Sequence, residues 1–142
     1  MKSILPALLV VLLVTASCSG SDSETPGPAP SGVRSVEIQA VDSLRFEPDE
    51  VSVDAGETIR FVLVNTGGED HEFVLGDESL QESHEMDGHE GHGDDALAAV
   101  DLSPGSTVEV TVTFDEPGSL LYGCHVQGHY EAGMVGTVTV AA

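Results

Sequence analysis

Alternation of apolar, mostly β-branched residues with polar ones constrains this chain more than any other feature. "TIRFVLVN" (residues 58–65), "STVEVTVTF" (residues 106–114) and "GTVTVA" (residues 136–141) all carry it. Successive side chains of a strand point to opposite faces, so such segments bury one face and wet the other. "VRSVEIQAV" (residues 33–41) likewise places Val36, Ile38 and Ala40 together. "VSV" (residues 51–53), "HEFVLG" (residues 71–76) and "SLLYGC" (residues 119–124) add short runs, with "DAGE", "TGGED" and "EPG" as turns between strands. "DALAAVDL" (residues 95–102) fits either one turn of helix or an edge strand, and no window carries a helical stripe. Seven or eight short strands separated by turn signals predict an all-β domain, an antiparallel Greek-key sandwich or barrel.

That domain occupies residues 33–142, about 110 residues, enough to bury one core. What precedes it reads as address and tether. "MKSILPALLVVLLVTASC" has Lys2, an apolar run over residues 4–14 and small residues before Cys18, the pattern of a secretory signal over residues 1–17 and too short for a spanning helix. "TASC" resembles a bacterial lipobox, with Thr15 in place of the usual leucine, and this implies a lipid on Cys18. Residues 18–32, rich in Ser, Gly and Pro, then form a flexible linker. The expected location is outside the cytoplasm, in the periplasm or on the outer face of the bacterial cytoplasmic membrane, held by the lipid alone.

Charge narrows the partners. Arg34, Arg45 and Arg60 are the strong cations beyond Lys2, against 25 carboxylates and a net charge of −21. Such a surface repels nucleic acid and anionic headgroups. It suits a basic protein partner or serves solubility alone, and both readings stand.

One segment breaks the strand pattern. "GDESLQESHEMDGHEGHGDD" (residues 76–95) is acidic and nearly devoid of apolar residues, and is expected to be a long, mobile histidine-rich loop contributing little to the core. His84, Met86, His89 and His92 make it a candidate for a second, loose metal site; a solvated acidic loop is the plain alternative.

Cys124 is the one cysteine beyond Cys18. A lone thiol in an oxidising compartment needs burial, metal or catalysis to persist. Around it "LLYGCHVQGHYEAGMVG" (residues 120–136) sets Cys124, His129 and Met134 at spacing C-x4-H-x4-M on one loop. His71, opening a strand after a glycine-rich turn, can meet them at the same pole. One thiolate, two imidazoles and a thioether suit copper: a trigonal set of one cysteine and two histidines with a weak axial methionine marks a blue-copper site, whereas zinc favours other fourth ligands. His125, adjacent to Cys124, should point away from the metal, as a surface residue or a support behind it. The Glu72 backbone N–H is a candidate donor to the thiolate.

These residues resemble the cupredoxins, the small blue-copper proteins that include plastocyanin, azurin and auracyanin. The resemblance covers nearly all of residues 33–142 and is carried by "FEPDEVSVDAGETIRFVLVNTG", "DHEF" and "FDEPGSLLYGCHVQGHYEAGMVGTVTV". It implies copper held by His71, Cys124, His129 and Met134 and cycling between two oxidation states. The ligand spacing is more similar to the auracyanin and rusticyanin group than to plastocyanin. Two functions follow: a one-electron carrier exchanging electrons with a redox protein, or a copper-binding module for storage, tolerance or delivery. An enzyme is not expected, since no oxyanion-hole motif accompanies Cys124 and no second copper cluster is visible.

Overall fold

The computed structural model describes residues 32–87 and 95–142. Nine strands and one helix follow one another: β1 (Arg34–Val41), β2 (Arg45–Glu47), β3 (Glu50–Asp54), β4 (Glu57–Asn65), β5 (His71–Gly76), α1 (Glu78–Asp87), β6 (Ala98–Leu102), β7 (Thr107–Phe114), β8 (Gly118–Gly123) and β9 (Val135–Ala141). They form two sheets, ordered β2-β1-β4-β7 and β3-β9-β8-β5-β6. The alternating segments became strands as read. In β4, Ile59, Phe61 and Leu63 are fully buried while the residues between them are half-buried. "DALAAVDL" resolves to an edge strand, β6. The strand beyond the expected eight is the three-residue β2, separated from β3 by Pro48 and Asp49.

The sheets correct the antiparallel expectation, because both are mixed. β1 runs parallel to β4, with Ile38 opposite Leu63, and β3 runs parallel to β9, with Val51 opposite Val138. Between the sheets lies a core of Ile38, Phe46, Phe61, Phe73, Phe114 and Tyr122, which continues to Cys124 and Met134. The rings interlock: Phe46 meets Phe73 at 5.9 Å and Tyr122 at 5.4 Å edge-on, and Phe73 stacks on Tyr122. Such pairs add about 0.5–1.5 kcal/mol each beyond burial. Tyr122 lies on Gly136, where any Cβ would collide with the ring, and its hydroxyl donates to the Pro48 carbonyl. Tyr122 and Phe73 are both fully buried members of this core.

Residues 78–87 correct a second expectation. The acidic segment does not form a mobile loop there; it forms α1, packed on β5 and β8. Asp77 caps it, with Oδ1 accepting from the Leu80 N–H at 2.8 Å, the side-chain-to-N3 bond that satisfies an otherwise orphaned helix donor. Leu80, Gln81 and His84 are buried on its inner face. That cover explains why all six residues of β5 are buried, a pattern no two-faced surface strand shows. Leu80 seats directly on Gly76, where any side chain would collide with it.

Candidate metal centre

Topology brings the donors to one pole. β4 ends at Asn65 and β5 starts at His71; β8 ends at Gly123, and Cys124 follows; Met134 precedes β9. Asn65 fastens the turn that presents His71. Its Nδ2 donates to the carbonyls of Glu69 (2.7 Å) and Leu102 (2.8 Å), and its Oδ1 accepts from the Gly67 N–H (2.9 Å). Gly67 lies against the Asp42 carboxylate with no room for a Cβ, and Asp42 accepts from the Gly68 N–H at 2.8 Å.

The second ligand segment is closed by its own backbone. The Cys124 N–H donates to the Met134 carbonyl (3.1 Å), the Met134 N–H to the His129 carbonyl (3.0 Å), and the His129 N–H to the Val126 carbonyl (2.8 Å). Gly128 and Gly133 take positive φ values of 83° and 95°, which glycine adopts without the steric cost borne by other residues. These two positions let the segment from Cys124 to Met134 fold back on itself.

His71, Cys124 and His129 are buried, and their donor atoms lie within 4.8 Å of one another. Cys124 Sγ is 3.4 Å from His129 Nδ1 and 3.9 Å from His71 Nδ1. Three donors arranged in a plane around a metal, at bonds of roughly 2.0–2.3 Å, stand about 3.6 Å apart. The observed separations bracket that value, and one soft thiolate with two imidazoles is a copper donor set. Among the described residues this is the one group of three or more His, Cys, Asp or Glu placed to hold a metal ion. Met134 is fully buried in the same core cluster.

The surroundings favour a neutral His71 and a masked Cys124 thiol. Burial pushes the Cys124 thiol up, against the N–H groups of Glu72 and Val126. Burial, and then His129, hold His71 below its ordinary value despite Asp42, Glu69 and Asp70 nearby. The Glu72 N–H donates to Sγ at 3.3 Å, the bond expected from sequence. At the rim, His129 Nε2 lies 3.7 Å from Glu69 Oε2.

His125 does turn away from the donors, but it is no surface residue: it is 2% exposed. Its ring lies between α1 and the ligand loop, 2.8 Å from both Gln81 Oε1 and Glu85 Oε2. Of the proposed second metal set, His84 is buried with Nε2 3.3 Å from Glu72 Oε1, whereas Met86 is 79% exposed. Residues two apart on a helix do not share a face, so α1 does not bring these two together. His89 and His92 lie outside the described residues, as do the signal segment and Cys18. Sequence reasoning missed Asn65, Gln81 and the inward face of α1. Asn65 was visible only as a residue beside a turn, and Gln81 carried no distinguishing signal.

A two-sheet β-sandwich with one buried cysteine and two buried histidines converging at one pole defines a cupredoxin, a mononuclear copper protein. The family model for copper binding proteins of the plastocyanin/azurin type matches residues 33–141, and the chain belongs to that family. Among its relatives, the copper-resistant cuproprotein CopI of Rubrivivax gelatinosus is 36% identical over 133 residues, covering 88% of this chain and 79% of that protein. CopI of Pseudomonas aeruginosa is 33% identical over 177 aligned residues, covering 98% of this chain and 97% of the relative. The crystal structure of reduced auracyanin from Roseiflexus castenholzii superimposes with a TM-score of 0.69 at 26% identity, over 76% of this chain and 97% of the other.

Proposed function

We propose that this copper-binding protein is a one-electron carrier with a blue, type 1 centre, working outside the cytoplasm. The observation that carries this reading is the prearranged, buried donor set closed by backbone hydrogen bonds. Copper supplies the one-electron couple. The protein's own residues fix the donors so that little has to move when the charge changes. Cys124 provides the soft thiolate, and His71 and His129 the imidazoles. Met134 would supply a weak thioether donor, a role supported by its complete burial and its backbone bonds to Cys124 and His129. His129, 8% exposed beside Glu69, is the electron's exit to a basic redox partner. A fully buried Cys124 offers no nucleophile to a substrate, which supports a carrier over an enzyme. Secretion and a lipid on Cys18 complete the reading. Among the described residues no helix is long and apolar enough to cross one.

A second reading, copper tolerance by sequestration or delivery, is favoured by the two relatives described as copper-resistant cuproproteins. Titration of the purified protein with copper(II) separates the readings. The carrier gives an intense thiolate-to-copper band at one copper per chain, reversible reduction and slow loss of metal to a chelator. Fast transfer of the metal to a chelator establishes delivery instead, and a colourless complex excludes the type 1 centre.

A further inference from the structure

Helix α1 has one buried apolar residue, Leu80, yet it buries Gln81 and His84 and half-buries Glu85. Burying polar groups costs free energy unless each is paired, so the contribution of such a helix lies in what its polar groups hold.

Gln81 is fully buried. Its Nε2 donates to the carbonyls of Val74 on β5 (3.0 Å) and Leu121 on β8 (3.1 Å). Those two bonds fix the orientation of the amide and leave Oε1 to accept from His125 Nε2 at 2.8 Å. The His125 ring is held on its other sides as well. Nδ1 lies 2.8 Å from Glu85, Tyr130 stacks on the face at 4.6 Å, and His84 meets it edge-on at 4.8 Å. Gly123 permits this approach, since a Cβ there would lie 2.6 Å from Gln81 Oε1 and 2.7 Å from the Tyr130 ring. The residue after the copper thiolate is therefore immobilised from α1. A second arm reaches the thiolate through the other strand: His84 Nε2 is 3.3 Å from Glu72 Oε1, and the Glu72 N–H donates to Cys124 Sγ.

We propose that α1 clamps the copper centre, with Gln81 and His84 as positioning residues that fix the Cys124 thiolate and its Glu72 donor. The proposal builds on the copper reading of the site. An N–H bond to the thiolate withdraws charge from it and favours copper(I), so loosening either arm favours copper(II).

Full-length protein carrying Gln81→Met or His84→Leu is expected to bind one copper per chain, with altered thiolate-to-copper bands. Its reduction potential should fall by a tenfold change in relative affinity for the two oxidation states, about 59 mV for a one-electron couple. His84→Gln, which can still donate to Glu72, should restore wild-type values. In metal-free protein, His84→Leu should speed hydrogen exchange at the Glu72 amide at least tenfold relative to the core amide of Phe61. Wild-type potential and bands in both variants, or unchanged Glu72 exchange in His84→Leu, overturn the proposal. Should Gln81→Met not fold, the two His84 variants decide. A colourless wild-type protein refutes the type 1 reading instead, and Glu72 exchange then decides on the clamp by itself.

Discussion

The Cys124 N–H donates to the Met134 carbonyl across 3.1 Å, so the two ends of the loop that carries Cys124 and His129 are tied to each other by backbone alone. Side-chain substitution at Met134 therefore leaves the tie intact and tests the thioether by itself. Met134→Leu conserves volume and should change metal-free stability by less than about 1.5 kcal/mol. Losing a donor that favours copper(II) should raise the reduction potential by about 59 mV or more, a tenfold change in relative affinity. Met134→Ala adds a cavity and should cost about 2–5 kcal/mol. Voltammetry and denaturant unfolding of the two variants check both expectations.

Asn65 makes three hydrogen bonds that hold the turn before His71. Asn65→Ala leaves the Leu102 carbonyl and its neighbours without these partners, at an expected cost of about 2–4 kcal/mol. Because the same turn places one imidazole, copper affinity should fall alongside stability while absorption from the thiolate persists. Chemical denaturation and competitive copper titration measure the two effects. Wild-type affinity in a destabilised variant would show that Asn65 holds the fold and not the ligand.

The two sheets and the donor set were legible for different reasons. Strands such as β4 announce themselves locally, because one buried face forces alternation of residues along the chain. Cys124 and His129 are legible because a thiolate and an imidazole at fixed spacing, with a methionine following, are rare outside a metal site. Partner choice is non-local: nothing within "VRSVEIQAV" states that it lies parallel to β4. Helix α1 escaped because its inner face is Leu80, Gln81 and His84, giving no apolar stripe, while its signal was the Asp77 cap. The destination of His125 depended on that helix, so the sequence could show that it turns away and not what receives it.

Copper binding should release a proton from Cys124. Burial raises the thiol, so at neutral pH the metal-free site holds S–H, and only the thiolate ligates. The apparent affinity for copper(II) should weaken about tenfold for each pH unit lowered through neutrality. Titration calorimetry in buffers of different ionisation enthalpy should count about one proton per copper at pH 7. Cys124→Ser should abolish both that proton and the thiolate-to-copper band.

The metal-free protein should be most stable in a window bounded by groups of opposite shift. His71 is held below 6.5, chiefly by burial. A depressed folded value means that the unfolded chain takes up its proton first as pH falls. The His71 contribution is complete above pH 6.5 and is lost on acidification, with a slope of at most about 1.4 kcal/mol per pH unit. Cys124 acts at the other edge. Its thiol is raised above 9.0, so its contribution is complete below that value and is lost as pH rises through the folded value. Urea unfolding of metal-free protein from about pH 5 to pH 10 should trace the window, with a shallower acid limb in His71→Gln. Copper occupies His71 and Cys124 in the folded state only, so loading should raise stability across the window and steepen its fall on the acid side, where protonation competes with ligation. An acid limb identical in wild type and His71→Gln would show that His71 contributes nothing to it.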